Sequence, residues 1–300
     1  MKQAMVVACL FWANIAPAHA QAPTPLEKQA TLAWLTKLQH AGGGFAGDAK
    51  AGAPVTLPAT LSAVRALKYF GSVPGSVPPH AVDVVRFVRS CWNESEGAFA
   101  PTPGGTPDVR TTAVGLMGLF DLEAADQNQD MIARGMTYLG KNVKDYEEVR
   151  IAAAAFEVTK KPFPQLKKWQ EILHGLQSNK EADQPREIGG VTVALLRLGE
   201  PLENKEAILK SLRAGQRPEG AWGKAGAAPE LETSYRVMRA FYMLKANPDV
   251  AALRKFIARC RQPDGSYAVA PGQPGSVSAT YYAGIISSWL DQLQEPGGPL

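Results

Sequence analysis

The side chains best placed to do chemistry in this chain stand at the starts of two small- and apolar-rich segments. Asp108 and Arg110 precede one of them, and Glu232 and Tyr235 precede the other. A guanidinium there can hold a carboxylate, and a carboxylate or phenol can orient a polar ligand. The same residues also suit plainer roles. Acids favour the positive end of a helix dipole, Asp108 is a good helix cap, and Asp108 with Arg110 makes a pair by itself. No complete catalytic set accompanies them. His40, His80 and His174 stand singly, without metal-ligand spacing. Gly42-Gly43-Gly44 lacks the Lys-Ser/Thr of a phosphate loop, and no Gly-x-Ser-x-Gly elbow occurs. Glu147-Glu148 and Lys160-Lys161 read as solvated faces.

These residues need a scaffold, and the chain has room for one. Its 300 residues are 45% hydrophobic and 20% charged, enough for a large core. The net charge of +4, with no dense basic run, argues against a nucleic-acid partner. The first 20 residues read as a secretory signal: Lys2, an apolar stretch over 4–15, then Ala18-His19-Ala20. Cleavage is expected after Ala20, giving an exported protein, secreted or periplasmic. The stretch is too short to span a bilayer comfortably. No later segment is long and apolar enough to cross a membrane. Cys91 and Cys260 then remain. They fall at equivalent repeat positions that neighbouring units fill with Leu38 and Gly215, which reads as packed free thiols.

The scaffold repeats. A helical stripe ends in a polar loop holding glycine and an aromatic, and a second helix follows. The loops are Gly43-Gly44-Phe45, Gly97-Ala98-Phe99, Gly220-Ala221-Trp222 and Gly265-Ser266-Tyr267. Second helices are expected over 60–70, 108–122, 232–244 and 279–290. The interval from Phe99 to Trp222 spans about three units, so two units without the loop lie inside it. Their helices are expected over 131–139 with 149–158, and over 166–176 with 189–198. Glycine lets the chain leave a helix sharply, and the aromatic wedges between hairpins.

Gln216-Arg217-Pro218-Glu219-Gly220-Ala221-Trp222 and Gln262-Pro263-Asp264-Gly265-Ser266-Tyr267 resemble the repeat of protein prenyltransferase β subunits and squalene and hopene cyclases. The resemblance covers nearly the whole mature chain. It implies an all-α fold, an α/α toroid with inner and outer helix rings around a central cavity. Asp108-Val109-Arg110 is similar to a segment whose arginine helps hold a peptide carboxylate in that family. Leu231-Glu232-Thr233-Ser234-Tyr235 sits where the family has Asp-x-Cys-Tyr, with zinc on Asp and Cys, and Ala279 sits where it has a histidine ligand. A hydroxyl and a methyl do not replace a thiolate and an imidazole. The cyclases' Asp-x-Asp-Asp motif is absent too.

The expected organisation is a signal peptide over 1–20, a linker over 21–25, the toroid of about six helical hairpins over 26–292, and a flexible tail over 293–300. The expected function is an exported ligand- or partner-binding toroid without zinc prenyltransferase activity. Asp108, Arg110, Glu232 and Tyr235 form its candidate cavity wall. An apolar small molecule or a protein or peptide is its partner, with no metal and no cofactor. Two alternatives stand: a zinc-independent prenyl or terpene transferase or cyclase, and a polysaccharide-acting toroid.

Overall fold

The computed structural model describes residues 22–71, 81–160, 165–177 and 184–295. The expected signal peptide over 1–20, His80 and the end of the expected tail lie outside the described residues. Six helices form an outer set: α1 (Pro25–Lys37), α3 (Ala81–Ser90), α5 (Gln129–Asn142), α7 (Leu166–Gln177), α9 (Lys205–Ala214) and α11 (Val250–Cys260). They alternate along the chain with α2 (Leu57–Phe70), α4 (Val109–Asp121), α6 (Tyr146–Thr159), α8 (Pro185–Arg197), α10 (Leu231–Met243) and α12 (Val277–Gln294). Each of the second set packs on the next, and α12 packs on α2, so they close an inner ring. Two short hairpins decorate the loops: β1 (Trp92–Asn93) with β2 (Ala98–Phe99), and β3 (Tyr267–Ala268) with β4 (Gly275–Ser276). No described helix is long and apolar enough to cross a membrane.

The two rings differ in sequence for a physical reason. An outer helix buries one stripe, such as Val84, Phe87 and Val88 of α3. An inner helix touches two inner neighbours and an outer one, so it needs small and apolar residues nearly all round. In α6 these include Ala152, Ala153, Ala154 and Ala155, all buried. At the edges, α1 begins at Pro25 behind a Thr24–Glu27 capping box, inside the expected linker. At the other end α12 runs through Gln294, so Leu293 and Gln294 are helical rather than tail.

The four loop aromatics, Phe45, Phe99, Trp222 and Tyr267, are fully or almost fully buried. Each is held by one repeated bracket. The inner helix that follows is capped by Thr56, Asp108, Glu230 or Ser276. Four residues beyond the cap stands a hydroxyl: Thr60, Thr112, Ser234 or Thr280. That hydroxyl accepts the backbone N–H of the loop aromatic, at 2.9 Å for Phe45, 3.1 Å for Phe99, 3.2 Å for Trp222 and 3.0 Å for Tyr267. In the two units without the loop, the same position holds Val149 or Ile188. The aromatic and its hydroxyl are lost together.

Thr112→Val keeps the shape of that side chain and orphans the buried Phe99 N–H. The expected cost is about 1–3 kcal/mol, read as a lowered denaturation midpoint with unchanged helical circular dichroism. Cys91 follows α3 and Cys260 ends α11, both buried and not bonded to each other. Burial pushes their thiols up to about 11 and about 12, which leaves them weak nucleophiles.

Candidate functional site

The inner ring encloses a cavity of two chambers. Residues from the first turns of the inner helices line the first, of about 170 Å³; Pro58, Arg110, Glu232 and Ser278 form its outer edge. Residues from later turns line the second, of about 200 Å³, including Tyr69, Asp121, Glu157, Arg197 and Arg239. The chambers share a waist of Arg65, Arg150, Ile151, Tyr235, Arg236 and Tyr281. The helix period explains the lining: Glu232, Tyr235, Arg236 and Arg239 follow one face of α10.

Charge dominates this wall. Six cationic side chains and two carboxylates line the second chamber, waist included. At the first chamber, Glu147 of α6 accepts from Arg236 at 2.7 Å and Arg150 at 3.2 Å, with Arg186 of α8 at 3.1 Å. Burial would raise the Glu147 carboxyl, but those guanidiniums hold it at about 2. Arg236 also reaches Glu232 at 2.9 Å. In the second chamber Arg65 pairs with Asp121 at 2.7 Å, and Arg197 with Glu157 at 2.9 Å.

Aromatic rings complete the waist. Tyr235 stacks on Tyr282 and Trp289, with centroids 4.9 and 5.7 Å apart. Its hydroxyl lies 3.3 Å from that of Tyr281 and accepts from Arg239 at 2.9 Å. Burial alone would raise the Tyr235 phenol. Arg239, the Tyr281 hydroxyl, Arg197 and Arg65 outweigh it and pull the phenol below its ordinary value. Burial first, and the adjacent Tyr235 phenol second, push Tyr281 well above its ordinary value, because two neighbouring phenols do not both ionise readily.

Three of the four residues expected from sequence meet here. Arg110 and Glu232 line the first chamber, and Tyr235 stands at the waist. Asp108 does not join them. Its carboxylate caps α4, accepting from the Thr111 N–H and hydroxyl, both at 2.7 Å. Glu147 is a correction in the other direction: it is no solvated face but the hub of three arginines. Glu148 is instead part of the local cap of α6, where its N–H donates to Asp145 at 2.9 Å. Sequence reasoning also missed Arg65, Arg150, Arg197, Arg236 and Arg239. The available signal was arginine inside otherwise small and apolar helices, with Glu232–Arg236 and Tyr235–Arg239 at helical spacing.

The position compared with a zinc thiolate turns away from the cavity. The Ser234 hydroxyl is fully buried in the loop bracket, donating to the Glu230 carbonyl at 2.7 Å. Ala279 is buried as well. Among the described residues no group of three or more His, Cys, Asp or Glu could hold a metal ion. His174 lies 2.5 Å from Glu200, on an outer helix.

The prenyltransferase alpha-alpha toroid domain family matches residues 2–148 and 189–296. No curated protein matches. Among solved structures, the chain is similar to the type II terpene cyclase MstE from Scytonema in complex with its substrate geranylgeranyl dihydroxybenzoate. That likeness has 12% identity, covers 89% of this chain and 96% of that one, and has a TM-score of 0.56. A glycosidase in complex with glucose is similar at 11% identity, over 89% of this chain and 96% of that one, with a TM-score of 0.59. At such identities the likeness shows the fold alone.

Proposed function

From the membership of this chain in the prenyltransferase alpha-alpha toroid family, we propose that it is an exported toroid that binds a small molecule in its central cavity and does not transfer prenyl groups on zinc. The observation that carries this reading is the two-chambered cavity, walled by guanidiniums and phenols at the centre of a closed ring. Concave sites with a few convergent polar groups are where small ligands bind. The wall also revises the ligand expected from sequence. A wholly apolar molecule would strip water from the arginines and return nothing, a cost of several kcal/mol. Zinc chemistry is set aside on the donors themselves. The Ser234 hydroxyl is committed to the loop, and Ala279 offers no ligand atom.

A second reading, proton-transfer catalysis, draws on one feature: Tyr235 is a buried phenol poised to ionise more readily than usual. Glycoside hydrolysis fits less well. It needs two carboxyl groups free to flank the scissile bond, whereas Asp121, Glu147 and Glu157 are each engaged by a guanidinium.

One preparation from the native compartment tests the proposal. Intact mass should start the mature chain at Gln21. Metal analysis should find no stoichiometric zinc. Native mass spectrometry should find a small molecule that leaves on unfolding. One zinc per chain would end the negative claim, and a chain retaining residues 1–20 would end the claim of export by cleavage.

A further inference from the structure

Arg239 differs from the other arginines of the second chamber. Arg65, Arg150, Arg197 and Arg236 each meet a carboxylate. Arg239 meets only a phenol and two rings. It donates to the Tyr235 hydroxyl at 2.9 Å, and its guanidinium lies over Tyr235 and Trp289 at 5.1 and 4.7 Å from their centroids. Its Nε is buried with no hydrogen-bond acceptor. No carboxylate lies within ion-pair distance of it among the described residues. A guanidinium cannot shed its proton to escape this. A buried cation without a carboxylate partner is costly, and aromatic faces recover only part of that cost.

We propose that Arg239 is an anion anchor, and that the second chamber takes a small organic carboxylate whose charged end seats on Arg239 and whose body lies against the aromatic waist. This rests on the cavity being the binding site, and it names the class of ligand. A carboxylate matches the planar guanidinium fork and supplies the counter-charge that no described carboxylate gives Arg239. Arg65 and Arg197 also act electrostatically on Tyr235, although Asp121 and Glu157 pair with them. Burial first, and Arg239 second, lower Arg197, which records two cations in one low-dielectric space. The rings of Tyr69, Tyr235 and Tyr281 line the chamber and give a flat ligand body its packing surface. The chamber, at about 200 Å³, admits a compact molecule rather than a polymer.

The test uses the full mature chain, with benzoate as the probe and benzamide as its uncharged isostere, followed by calorimetry and by tryptophan fluorescence. Benzoate should bind at least tenfold more tightly than benzamide. Arg239→Gln should erase that preference, and Arg239→Lys should keep part of it. Helical content and melting of each variant are checked first, and the lysine variant carries the test if glutamine unfolds the chain. Equal affinity of the wild type for both probes overturns the carboxylate assignment while leaving a binding cavity. A preference that survives Arg239→Gln overturns the anchor. Failure of benzoate to bind overturns the proposal too. An uncharged molecule found by native mass spectrometry would then keep the cavity reading alive without it.

Discussion

Gly265→Ala is expected to open the ring at its seam. Gly265 sits in the last loop with φ at +93°, and a Cβ there would come within 2.5 Å of the Ala30 backbone in α1. Its carbonyl accepts the buried Thr31 hydroxyl at 2.7 Å. The last repeat is thereby fastened to the first. Alanine brings backbone strain of ~1–2 kcal/mol and forces two backbones apart, for a total loss of about 2–5 kcal/mol. Gly272→Ala separates the two effects. Gly272 has φ at +81° with nothing near the added carbon, so only the strain applies. Urea denaturation of both variants, with limited proteolysis of α1, checks this. Equal losses for the two would mean that the seam contact contributes nothing.

Glu147→Gln is the second large effect. One carboxylate there answers Arg150, Arg186 and Arg236 from three inner helices. The amide keeps the volume and removes the charge. Arg186 retains Glu187 and Arg236 retains Glu232, while Arg150 loses the carboxylate it meets. A fully buried pair broken in this way costs about 3–5 kcal/mol; here about 2–4 kcal/mol is expected, because the Glu147 side chain is 36% exposed. The pH dependence has a definite sign. Glu147 is held at about 2, below an ordinary glutamate. Its stabilisation is therefore complete above the ordinary glutamate value and disappears as pH falls toward about 2. The wild type should lose stability through that window, and the variant should lose less. Parallel acid-unfolding curves would show that the arginines do not depend on this carboxylate.

Much of the scaffold was legible because its signals are local. Glycine before an aromatic marks a turn that only a few residues permit, and the spacing of Phe45, Phe99, Trp222 and Tyr267 revealed two further units without such turns. The loop bracket was also present in the sequence, as Thr60, Thr112, Ser234 and Thr280, each four residues past a cap. At Ser234 the resemblance to a metal-ligand position obscures it, and only the three threonines of the same chain bring it out. Asp108 was legible as a cap and as a wall residue; its reach to Thr111 decided for the cap.

The cavity was far less legible. An inner helix is buried nearly all round, so its apolar pattern names no single polar face. Nothing in the order of residues shows that Arg239 points inward among rings while Arg197 finds Glu157. Glu147 looked solvated beside Glu148, and it became a hub only when α8 and α10 brought Arg186 and Arg236 to it.

By itself, then, the sequence determined the repeat, the helices, the turns and the missing zinc donors, all of which depend on neighbours within one hairpin. Only the tertiary structure decided which charges meet and that Arg239 meets rings instead of a carboxylate. Those pairings join helices far apart in the chain, and their energies depend on the burial that arises when α12 closes against α2.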